Sequence, residues 1–117
     1  MKVAIIGTRT IFVENIEQYL DEGCDEIVSG GAKGVDAQAA MLAKEKGLKL
    51  TEFLPDYSIY GRAAPIVRNR KIVEYVDKII AFWDGKSRGT EFVIKYAEKL
   101  EKPCRVVYCD EKSKTKP

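Results

Sequence analysis

Five short apolar runs, at residues 3–6, 26–29, 49–53, 78–83 and 104–109, alternate with stretches of helical periodicity, and this alternation leaves the chain few ways to fold. Runs of four to six residues bounded by turn residues read as buried strands. Strands separated by helices cannot be joined as hairpins, so the pattern predicts an α/β fold: a Rossmann-like three-layer αβα domain around a five-stranded parallel sheet, in the order 3-2-1-4-5. Four helices are expected. The last has Phe92, Val93, Tyr96, Ala97 and Leu100 on one stripe with Lys95, Glu98 and Lys99 opposite. A second, over 34–46, is rich in alanine and ends at Gly47. The first, over 14–21, has a thin apolar face of Ile16, Tyr19 and Leu20. In the remaining one, over 65–76, Asn69 and Arg70 fall on the stripe marked by Ile66, Val73 and Val76, so polar groups stand where core is expected.

The 117 residues suit one domain, placed at 1–109, followed by a Lys-rich tail at 110–117 that reads as disordered. The chain has no histidine, which excludes Ser-His-Asp and Cys-His nucleophile pairs, histidine-ligated zinc and a histidine pH switch. Cys24, Cys104 and Cys109 are odd in number and lack zinc spacing, so they read as reduced core thiols. No metal or cofactor is called for. The net charge of +2 advertises neither a nucleic-acid nor a membrane partner, and the four-residue apolar run after Lys2 is shorter than a signal-peptide core, so a cytoplasmic protein is expected. An exposed sheet edge or helix face leaves pairing into a homo-oligomer open.

Ligands of open parallel sheets bind beyond the carboxyl ends of the strands, and the unusual residues of this chain follow its strands. Gly7, Thr8 and Arg9 follow the first. Ser29, Gly30, Gly31, Ala32, Lys33, Gly34, Val35 and Asp36 follow the second. Trp83 ends the fourth, and the turn after it leads through Gly89, Thr90 and Glu91 into the last helix. Glycine turns that run into helices let backbone N–H groups meet an anion, and the helix start adds roughly half a positive charge. Arg62, Arg68, Arg70 and Lys71 fall in a stretch without acidic residues, and the arginine fork suits phosphate.

Together, the segments 3–9, 29–36, 68–70 and 81–90 resemble the SLOG superfamily, in particular its small YspA-type, YpsA-related members. The resemblance covers residues 1–109 and implies a domain that senses or processes nucleotides or nucleotide-derived ligands. LOG phosphoribohydrolases are similar in an Arg-Lys pair, here Arg70 and Lys71, and in a glycine turn, here Gly89 and Thr90; Val93 stands where their catalytic glutamate would be. DprA is similar in the turn ending at Asp36 and in the segment Arg68, Asn69, Arg70.

The expectation is therefore a phosphorylated nucleotide or nucleotide-derived small molecule held by Gly7, Thr8, Arg9, Ser29, Gly30, Gly31, Lys33, Gly34, Asp36, Arg68, Asn69, Arg70, Trp83, Gly89 and Thr90. An N-glycosidic nucleotide hydrolase is the enzyme alternative, with Glu91 and Asp36 as the candidate catalytic carboxylates. A single-stranded DNA module is the third reading, and it lacks a strongly basic groove.

Overall fold

The computed structural model describes residues 1–109. The tail expected to be disordered lies outside them. Five parallel strands form one sheet: β1 (Lys2–Gly7), β2 (Glu26–Ser29), β3 (Lys49–Glu52), β4 (Lys78–Trp83) and β5 (Cys104–Tyr108), in the order β3-β2-β1-β4-β5. Three twelve-residue helices, α1 (Val35–Lys46), α3 (Ala64–Tyr75) and α4 (Arg88–Lys99), and a single-turn helix, α2 (Tyr57–Tyr60), complete the Rossmann-like three-layer fold.

Parallel pairing buries both faces of the central strands, which is why β1 and β4 carry unbroken apolar runs. On one face, Val3, Ile5, Ile80 and Phe82 meet Val35, Ala39 and Leu42 of α1. On the other, Ala4, Ile6, Ile79 and Ala81 meet Ile72 and Val73 of α3 and Val93 and Ala97 of α4. No helix of the described residues is long and apolar enough to cross a membrane.

The helix expected over 14–21 is not formed. Over this stretch the chain makes a single 3₁₀ turn, Ile16–Tyr19, entered through Asn15 in the left-handed region at φ 51°. The physical reason lies just upstream, where Ile11 and Val13, each 1% exposed, alternate inward as in an extended chain. The Gln38 side chain of α1 then replaces the missing backbone partners. Its Oε1 accepts the Val13 N–H at 2.9 Å and its Nε2 donates to the Val13 carbonyl at 2.8 Å.

The stripe of α3 also differs from expectation. Its inward face is Ala64, Asn69, Ile72 and Val73, continued by Val76, while Ile66 and Arg70 are exposed. Asn69 stands three residues before Ile72, four before Val73 and seven before Val76, so it shares their face by three relations. Arg70 shares it only through Val73.

Candidate functional site

A crevice of about 370 Å³ opens where the sheet order reverses, between the carboxyl ends of β1 and β4, with β2 beside them. Gly7, Thr8 and Arg9 line it from β1, Gly30, Ala32 and Asp36 from β2 and α1, Arg68 and Asn69 from α3, and Ser87, Gly89 and Thr90 from the start of α4. Both glycine turns thus reach one pocket.

Arg68 organises its centre. Its Nη1 donates to the Gly30 carbonyl at 2.7 Å and its Nε donates to Asn69 Oδ1 at 2.7 Å. A guanidinium has no acceptor, so the Asn69 atom facing it must be the carbonyl oxygen, and the amide Nδ2 is turned toward Gly89. Gly30 is required for this contact because a Cβ there would lie 2.6 Å from Arg68 Nη1. Burial pulls the Arg68 pKa down, the neighbouring Asp36 raises it, and the nearby positive charge of Arg9 lowers it further. The guanidinium remains cationic, and two arginines therefore face the crevice.

The two helix starts differ chemically. At α4, Ser87 occupies the N-cap position without a side-chain cap bond, and the first intrahelical bond runs from the Glu91 N–H to the Ser87 carbonyl. The N–H groups of Arg88, Gly89 and Thr90 precede that bond, where helices offer their unpaired donors. At α1, an acid of the chain itself stands at the helix start. Asp36 Oδ2 accepts the Ala32 N–H at 3.1 Å, and the side chain lies near Arg68. Gly34 makes this turn possible at φ 72°, and a Cβ there would run into the Arg9 carbonyl.

Two buried polar atoms of this crevice have no partner among the described residues: Thr8 Oγ1 and Asp36 Oδ1. Their residues are 8% and 7% exposed. Orphaned polar atoms cost about 1–3 kcal/mol each, so native proteins keep few of them away from functional sites. Burial pushes the Asp36 carboxyl above its ordinary value, against the lowering effects of the Ala32 N–H and of Arg68. A hydroxyl donor placed in the crevice would satisfy it.

Several residues named from the sequence lie elsewhere. Arg70 points away from the crevice, with its guanidinium 5.9 Å from the centre of the Tyr96 ring, because the core-facing stripe of α3 passes through Asn69. Glu91 is turned outward to Lys95, at 3.3 Å across one helical turn, and does not line the crevice. Trp83 also misses it. Its Nε1 donates to the Ser87 carbonyl at 2.9 Å and its ring packs on Tyr108, so it anchors the turn before α4. Lys33 and Gly31 are exposed, outside the lining. Ser29 is fully buried beneath the turn, where its Oγ accepts the Gly31 N–H at 3.2 Å. The residues expected from the sequence leave out Ile6, Ala32, Pro65, Ile72 and Ser87, all of which line the crevice. Only Ser87 carried a signal, as a residue type favoured at helix N-caps.

No family model, curated protein or solved structure matches this chain. The functional reading therefore rests on the crevice itself.

Proposed function

We propose that the protein binds a phosphorylated nucleotide or nucleotide-derived small molecule in this crevice. The observation that carries the reading is the set of groups that converge on it: an open helix start with Asn69 Nδ2 beside it, the two arginines Arg9 and Arg68, and the unpartnered, buried Asp36 Oδ1 and Thr8 Oγ1. A phosphate suits the helix start and the arginines. Sugar hydroxyls suit the two unpartnered oxygens, since a carboxylate accepts and a threonine hydroxyl both donates and accepts. A phosphorylated ribose carries both groups a few bonds apart. The volume of about 370 Å³ falls in the range of small-molecule sites, roughly 300–1,000 Å³.

Thermal shift with ribose 5-phosphate, mononucleotides, NAD and ADP-ribose tests this. A binder at one hundred times its Kd stabilises the fold by about 2.7 kcal/mol. No stabilisation by any of them at millimolar concentration removes the proposal.

One observation favours catalysis as a second reading: Asp36 is a buried carboxyl with a raised pKa in the crevice, the condition of a general acid or base. Water would add across the bond between ribose C1′ and the base nitrogen, giving ribose 5-phosphate and free base. Release of free base on incubation, abolished in Asp36→Asn, supports it. An unchanged rate in that variant eliminates Asp36 from the chemistry.

A further inference from the structure

Arg68 lines a second cavity as well as the crevice, a slot of about 290 Å³ between the end of β3, α2 and α3. Its walls are Phe53, Leu54, Tyr60, Ala64 and Val67. Two of these rings have near neighbours: Phe53 packs on Tyr75 at 5.4 Å, and Lys71 Nζ lies 5.4 Å from the centre of the Tyr60 ring. Two of these wall residues, Leu54 and Tyr60, are exposed apolar side chains, with Leu54 66% exposed. A flat apolar group would cover surface that is otherwise left to water.

The rim is acidic. Asp56 Oδ1 is committed to the start of α2, where it accepts the N–H groups of Ser58 and Ile59. The Glu52 side chain forms no hydrogen bond or ion pair among the described residues, and its Oε2 approaches Gly31 beside the crevice. Of the two cations on the slot, Arg68 donates to Gly30, Asn69 and, at 3.5 Å, the Phe53 carbonyl, while Lys71 lies over Tyr60. The unused group is therefore an acceptor, and it calls for adjacent N–H donors.

We infer that this slot receives the base of the nucleotide whose phosphate and ribose occupy the crevice, and that Glu52 selects guanine; the inference rests on the nucleotide reading above. Guanine alone among the common bases presents two neighbouring donors, N1–H and the N2 amine, which fit both oxygens of one carboxylate. Adenine and cytosine set a ring acceptor beside their amine, and uracil flanks its single N–H with two carbonyls, so each would aim a lone pair at Glu52. The base would lie between Tyr60 and the Arg68 guanidinium, a plane on which aromatic rings stack.

Calorimetry with ribose 5-phosphate, GMP, AMP and UMP tests this on the full chain. GMP should bind at least tenfold tighter than ribose 5-phosphate and tighter than AMP or UMP. Tyr60→Ala should bring GMP down to the affinity of ribose 5-phosphate, and Glu52→Gln should erase the preference of GMP over AMP. Both side chains are exposed, and neither change should alter binding of ribose 5-phosphate. The inference is overturned if GMP binds no tighter than ribose 5-phosphate, if AMP binds tighter than GMP, or if both variants weaken ribose 5-phosphate as much as GMP. If ribose 5-phosphate and GMP both fail to bind, the nucleotide reading falls, and the slot assignment with it. Binding of ribose 5-phosphate without a gain from guanine removes the slot assignment alone.

Discussion

Asp36 is a buried carboxyl whose Oδ1 has no partner among the described residues. Its carboxyl pKa is raised in the folded chain, so the folded state holds the proton more tightly than the unfolded one. Stability from this group is fully present below the unfolded value near 3.8 and is lost as pH rises through the folded value. Asp36→Asn keeps an acceptor for the Ala32 N–H and removes the buried charge. It should therefore raise stability at neutral pH by roughly 1 kcal/mol, an increase of a few degrees in Tm. The gain should disappear in thermal melts below about pH 4. The same variant should bind ribose 5-phosphate at least tenfold more weakly, because an amide cannot replace the charged acceptor. Gly30→Ala tests the other central contact. Its Cβ would push the Arg68 guanidinium off the Gly30 carbonyl, with an expected cost of about 1–3 kcal/mol in denaturant unfolding and a loss of ligand affinity.

At the scale of elements, the start of α4 lines the crevice, whereas another face of the same helix turns outward. Glu91 belongs to that face, and Glu91→Gln removes only an exposed pair with Lys95, worth about 0.2–0.5 kcal/mol. Ligand affinity measured by calorimetry should be unchanged, whereas Thr90→Val, at a 3% exposed position on the crevice, should weaken it several-fold. This division explains what could be read from the sequence. The five strands and three long helices were legible because burial on both faces writes continuous apolar runs, and packing on one face writes a periodic stripe. The crevice turns were legible because glycines and a helix start follow strands. The orientation of α3 was not, since Ile66 is apolar yet exposed and misplaced the stripe by one residue. Nor was the irregular stretch before β2, whose inward side chains are secured by Gln38, a partner 25 positions away.

Across the whole molecule, the two ends of the sheet do different work. At the end opposite the crevice, Glu26, 7% exposed at the start of β2, accepts hydrogen bonds from Tyr75 Oη at 2.7 Å and Thr51 Oγ1 at 2.8 Å, tying β2, β3 and α3 together. Burial alone would raise its pKa, but these donors and Lys49 hold it below the ordinary value. Its stabilising contribution is present above about pH 4.5, the unfolded value, and is lost as the pH falls through the folded value. Glu26→Ala orphans both donors and should cost about 2–3 kcal/mol in urea unfolding at neutral pH, with ligand affinity intact. Trp83 links the scales, as the single tryptophan of the chain and the anchor of the Ser87 carbonyl at the start of α4. An anion drawn in by the adjacent amides would alter the field at that indole, so the protein carries its own optical gauge of occupancy: a titration followed by emission needs no label.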